Sequence, residues 1–186
     1  KIKAQSSSPS YILQPEHIFG FRVDSIRNNL FSIQNDRILY ASGCSAVIEN
    51  ISDNSQTIFG CDERTTSNKL CHDNAITAID YLYGDISMVV TGQRGLKPIV
   101  LIWSPLSPST VFGKYSQIRG SREVAGLSID EQGKYVLSYG RDSNNTPMND
   151  LWVLKRNRKG NWNWKQLIPE NEKTKLKDYV LDLSCE

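Results

Sequence analysis

No apolar run in this 186-residue chain approaches the roughly 20 residues a membrane-spanning helix needs. The Ser-rich residues 1–10 lack the apolar centre of a secretory signal. No membrane partner is therefore expected. Histidine is scarce: there are two, His17 and His72, which leaves little for acid–base chemistry. Cysteine is sparse and scattered. Cys44, Cys61, Cys71 and Cys185 form no Cys-x-x-Cys pair, so free thiols in a reducing compartment, the cytoplasm, are expected rather than a disulfide frame. Cys61, Cys71 and His72 are poor zinc ligands, because nine residues separate the two cysteines where structural zinc sites use short chelating pairs. No phosphate loop is present; Gly92-Gln93-Arg94-Gly95 has neither the spacing nor the following helix. Charge of neither sign dominates. Twenty-two Lys and Arg stand against 20 Asp and Glu, a net +2, too little to demand a polyanionic partner. Carboxylates such as Asp53, Asp85 and Asp130 fall in turns, where local bonds to backbone are their usual work. With no nucleophile–base pair in view, neither an enzyme nor a cofactor is expected.

What the sequence does contain is short strands in quantity. Asn29 to Ile33, Arg37 to Ala41, Cys44 to Asn50 and Ser55 to Gly60 are four such runs. The turns between them are rich in Asn, Asp, Ser and Gly, the pattern of a meander. The set recurs. Ala75 to Tyr81, Ser87 to Gly92, Ile99 to Ser104 and Ser109 to Gly113 form a second; Val124 to Ile129, Lys134 to Tyr139, Asp150 to Lys155 and Trp162 to Leu167 form a third. Within the second set, Ile99-Val100-Leu101-Ile102-Trp103 is apolar throughout, as for a strand covered on both faces.

The second strands begin near 37, 87 and 134, spacings of 50 and 47 residues. Four strands per period, a little above the roughly 40–45 residues of WD40 blades, is a propeller pattern with longer loops. The expected fold is all-β: a WD40-like β-propeller, incomplete, with about three four-stranded blades of a larger, tandem propeller. The expected divisions are a linker over 1–14, an opening segment and first blade over 15–61, a second blade over 62–115, a third over 116–168 and the start of another over 169–186. The chain reads as a piece of a longer protein whose remaining blades are its partners.

In the middle set, His72 precedes the first strand, Thr91 lies on the second and Trp103 on the third. WD-type blades place a His, a Ser or Thr and a Trp at these points, joined by a buried hydrogen-bond chain. The usual Asp before the third strand is missing, since Gln93-Arg94-Gly95-Leu96-Lys97-Pro98 stands there, and the dipeptide is Trp103-Ser104. A partial network is expected.

His17-Ile18-Phe19-Gly20-Phe21-Arg22, then Arg27-Asn28-Asn29-Leu30, then Arg37-Ile38-Leu39-Tyr40 resembles the HELP-motif region of the echinoderm microtubule-associated protein-like (EMAP-like) family. Cys71-His72-Asp73, Val90-Thr91-Gly92-Gln93 and Lys97 to Trp103 are similar to that family's next blade. The likeness covers about residues 15–105, and ciliary WD-repeat proteins share the Phe-Gly opening. The resemblance implies a tandem propeller scaffold binding tubulin or microtubules and other axonemal or cytoskeletal proteins, in the cytoskeleton or ciliary axoneme. Ile18, Phe19 and Phe21 are expected to pack against the blade sheets.

One local charge feature remains. Lys155, Arg156, Arg158 and Lys159 lie in a turn with no intervening acid, followed by Trp162 and Trp164. Three readings stand: a hairpin turn with both tryptophans on a packed face, a contact for an acidic protein surface such as tubulin, or RNA binding by phosphate contact and stacking. The expected function is a protein-binding microtubule or axonemal scaffold; the alternative is an RNA-associated WD-repeat protein.

Overall fold

The computed structural model describes residues 15–21, 26, 28–59, 71–85, 87–108, 110–116, 121–146, 148 and 152–166. The expected linker over 1–14 and the expected further strand over 169–186 lie outside them. The described residues form twelve strands in three four-stranded antiparallel sheets, each a plain meander. Sheet 1 is β1 (Leu30–Ile33), β2 (Arg37–Ser42), β3 (Ser45–Asn50) and β4 (Gln56–Phe59). Sheet 2 is β5 (Ile76–Leu82), β6 (Met88–Gln93), β7 (Ile99–Trp103) and β8 (Val111–Ser116). Sheet 3 is β9 (Glu123–Ile129), β10 (Tyr135–Arg141), β11 (Trp152–Arg156) and β12 (Trp162–Gln166).

The turns explain the registers. Between β1 and β2, Asn35 and Asp36 both take positive φ, 61° and 54°, which Asn and Asp tolerate best after glycine. Between β2 and β3, Ser42 pairs with Ser45 around a two-residue turn whose first residue, Gly43, has φ 59°; twisted hairpins favour a glycine there. Turn carboxylates bind backbone: Asp53 Oδ1 accepts from Ser55 N at 2.8 Å, and Asp130 Oδ1 accepts from Lys134 N and Tyr135 N, each at 2.6 Å.

Side chains alternate along each strand, so each sheet offers two faces. Leu39, Ala41, Ala46, Ile48 and Phe59 of sheet 1 pack on Ile79, Val89, Leu101 and Trp103 of sheet 2. The other face of sheet 2, with Ala78, Met88, Val90, Val100 and Ile102, packs on Val124, Leu127, Ile129, Val136 and Leu154 of sheet 3. Sheet 2 is thus covered on both sides, and every residue of β6 and β7 is buried. Its apolar run follows from that position.

Polar groups stitch the seams. Ile76 N donates to Gly43 O at 2.8 Å between sheets 1 and 2. Thr77 Oγ1 donates to Val124 O at 2.8 Å, and Asp80 Oδ2 accepts from Ile129 N at 2.8 Å, between sheets 2 and 3. Burial pushes the Asp80 carboxyl above the usual range, against the opposing pull of its bonds from Ile129, Tyr81 and Ser128.

Candidate functional site

The structure brings His72, Thr91 and Trp103 together in sheet 2. His72 Nε2 lies 2.7 Å from Thr91 Oγ1, and Trp103 Nε1 donates to the same hydroxyl at 3.3 Å. The network is fuller than the missing Asp suggests. Gln93 stands in: its Oε1 lies 2.8 Å from His72 Nδ1 and accepts from Asp73 N at 3.3 Å, while its Nε2 donates to Asp73 Oδ1 at 2.5 Å. The bond to Asp73 orients the amide, so Oε1 faces the imidazole. An amide oxygen only accepts, so Nδ1 carries the proton; the indole only donates, so the Thr91 hydroxyl passes its own hydrogen to Nε2. One tautomer satisfies every group.

Burial explains why the ring is neutral. His72 is 3% exposed and Gln93 2%, and desolvation pulls the His72 pKa from 6.5 to about 4, despite the opposing bond to Gln93. Both ring nitrogens are spoken for, so His72 is not free to ligate a metal; Cys61 lies outside the described residues. Sequence reasoning missed Gln93. Its signal is period two: Thr91 and Gln93 point to the same face of one strand.

Each sheet has a comparable latch before its first strand. In sheet 1, Asn29 Oδ1 accepts from Ala41 N at 2.8 Å and its Nδ2 donates to Ala41 O at 3.2 Å. In sheet 3, Ser121 Oγ reaches Glu123 O at 2.8 Å and Arg141 O at 3.4 Å.

The opening segment lies over the face of sheet 1 turned away from sheet 2. It is held by its backbone rather than by buried aromatics. Ile18 N donates to Gln56 Oε1 at 2.8 Å, and Gln56 Nε2 donates back to Ile18 O at 3.1 Å. Gln56 Nε2 also reaches Glu49 Oε2, which accepts from the Tyr40 hydroxyl at 2.6 Å. That hydroxyl holds the Glu49 carboxyl below its ordinary range. Ile18 is half-buried, but Phe19 is 87% exposed and Phe21 50%. The expectation that all three pack on the sheets is corrected for Phe19. In an extended segment neighbours point to opposite sides, so Phe19 faces out, its ring centre 4.4 Å from that of His17. Phe21 keeps an edge contact with Tyr40 at 6.1 Å.

Lys155 and Arg156 end β11, and Arg158 and Lys159 sit in the turn to β12. Asn157 shapes that turn: its N donates to Asn161 O at 2.7 Å, and its Oδ1 accepts from Lys159 N and Asn161 N. Lys155, Arg158 and Lys159 are exposed and Arg156 half-buried. The Lys155 ammonium stands 5.6 Å from the Tyr135 ring centre. Trp162 is buried in the core shared with sheet 2; the side chain of Trp164 lies outside the described residues.

No protein-family profile matches the chain. Over 142 residues it is 28% identical to the ciliary WD repeat-containing protein ctxp80 of Euplotoides octocarinatus, a match covering 73% of this chain and 20% of that protein. The chain therefore spans about a fifth of that relative's length. Among solved structures it is similar to a chain of the mitotic checkpoint complex, with a TM-score of 0.50 and 12% identity over 83% of this chain and 42% of that one. The Myceliophteria thermophila Cps50 (Swd1) beta-propeller domain aligns with a TM-score of 0.48 and 9% identity over 70% of this chain and 40% of that one. The described residues form three four-stranded blades of a WD40-like β-propeller, similar in sequence to a ciliary WD-repeat protein.

Proposed function

We propose that this chain is part of a non-catalytic, protein-binding scaffold of the cilium or the microtubule cytoskeleton. Tubulin or microtubules are its partner, met through Lys155, Arg156, Arg158 and Lys159. The observation that carries the contact is the turn itself. Three exposed cations and one half-buried one sit on a hairpin fixed by Asn157, with no carboxylate in ion-pair range among the described residues. Exposed cations on a rim suit an acidic protein surface and act mainly on encounter rate. The ciliary setting is supported by the likeness to ctxp80, and the microtubule partner by the resemblance of residues 15–105 to the EMAP-like proteins. The RNA alternative is less well supported, because Trp162 is packed in the core and unavailable for base stacking.

Cosedimentation of the full-length protein with microtubules at two salt concentrations tests the reading. Binding should weaken at the higher salt, and reversal of the four cations to Glu should remove most of it while leaving the unfolding midpoint in place. Equal binding by both proteins removes the turn from the interface. A parallel RNA mobility shift that tracked the same four residues would favour the RNA reading instead.

A further inference from the structure

A second surface lies at the opposite end of the sheets from the basic turn. The turn end is marked by the Tyr135–Lys155 pair of β10 and β11, and the far end by the Arg141–Glu123 pair of β10 and β9. At the far end an open groove of about 480 Å³ runs between sheets 2 and 3, lined by Asn74, Arg94, Leu96, Arg122, Glu123 and Asp142 among others.

Arg94 and Arg122 are both exposed there, on backbone fixed across the seam. The Arg94 backbone forms an antiparallel β-bridge with that of Glu123, Arg94 N donates to Ala75 O at 3.0 Å, Gly95 N to Arg122 O at 2.8 Å, and Arg122 N to Arg141 O at 2.7 Å. One nitrogen of the Arg122 guanidinium donates to Leu96 O at 3.0 Å. Among the described residues no carboxylate pairs with either guanidinium, although two carboxylates line the groove. Asp142 is turned into its own loop, its Oδ1 accepting from Asn144 N at 2.8 Å and Thr146 N at 2.9 Å. Leu96, beside the arginines, is 79% exposed.

We propose that this groove docks an acidic segment of a partner protein, with Arg94 and Arg122 binding its carboxylates and Leu96 contacting an adjacent apolar side chain. A guanidinium offers a planar fork of donors that matches a carboxylate. Arginine is also among the residues enriched in interface hot spots. Glu123 sits in the ladder between Arg94 and Arg141 and repels a continuous polyanion. The groove therefore fits one or two carboxylates rather than a nucleic-acid backbone. This surface is distinct from the basic turn, and its failure would leave the microtubule reading standing.

The test is fluorescence anisotropy with the full-length protein and a labelled Gly-Glu-Leu-Glu-Gly peptide, beside its Gln counterpart. The Glu peptide should bind and the Gln peptide should not. The double variant Arg94→Gln, Arg122→Gln should weaken binding by about tenfold or more, as loss of charge-assisted bonds implies. Leu96→Ser should weaken it less, and charge reversal of the 155–159 turn should leave it unchanged. If the Gln pair disturbs folding, shown by a shifted urea midpoint, the Arg94→Lys, Arg122→Lys pair decides: charge without the fork should still weaken binding severalfold. No binding at about 1 mM peptide, binding indifferent to Arg94 and Arg122, or binding lost with the turn cations would each overturn the proposal.

Discussion

Acid should loosen this protein through His72, and the size of the effect follows from its surroundings. The imidazole is buried and held neutral, with a pKa of about 4 in the folded protein against 6.5 for an ordinary histidine. Above pH 6.5 both folded and unfolded chains leave the ring neutral, so its contribution to stability is complete and flat. Between pH 6.5 and 4 the unfolded chain takes up a proton that the folded chain refuses, and stability falls with falling pH. Below about pH 4 the loss is complete. The difference amounts to about 3 kcal/mol, a large share of the stability of an ordinary domain. Urea unfolding of the full-length protein, followed by tryptophan fluorescence at pH 7.5 and pH 4.5, measures it. His72→Gln supplies the reference, since both proteins carry the same carboxylates and only one carries the ring. The wild type should lose about 2–3 kcal/mol more than the variant over that interval. Equal pH dependence in the two would refute the account, as would a His72 midpoint near 6.5 in the folded protein.

Other expectations rest on single contacts. Gly92→Ala would set a Cβ 2.4 Å from Val124 Cγ1, so it should destabilise by about 1–3 kcal/mol; adding Val124→Ala should return part of that loss, read as a coupling in a double-mutant cycle of urea midpoints. Asp80→Ala removes the acceptor for Ile129 N between sheets 2 and 3 and should cost about 1–3 kcal/mol; a midpoint equal to wild type would show that the amide finds another partner. Phe19→Ala should change the unfolding midpoint by less than about 0.5 kcal/mol, as for an exposed side chain away from special contacts; a loss of several kcal/mol would mean that Phe19 is covered in solution.

The strands were legible because their causes are local. Period-two alternation and turns of Asn, Asp, Ser and Gly place β1 to β3 within a residue or so of their observed bounds, and the continuous apolar run over β7 announces a strand buried on both faces. His72, Thr91 and Trp103 were legible as a set through their spacing. Gln93 was not, since a glutamine in a turn-like stretch looks solvent-facing until its strand is known to be interior. Phe19 misled for the converse reason. Aromatic content suggests burial, but the side on which a residue of an extended segment falls is set by the backbone bonds between Ile18 and Gln56, and those depend on a residue 38 positions away. The groove was equally hidden, because Arg94 and Arg122 come from different sheets and meet only when the sheets pack.

The three latches carry a consequence for how such a chain can be copied. Asn29 closes onto Ala41, His72 onto Thr91 and Gln93, and Ser121 onto Arg141, so each closure is confined to one meander. A duplicated meander would bring its own fastening with it and could change that fastening's chemistry without disturbing its siblings. The seams do not share that freedom. Thr77 and Gly92 are fitted to Val124 of the next sheet, so a copy inserted between them must reproduce both sides of that fit. Tandem growth of this architecture is therefore free in its clasps and constrained in its faces.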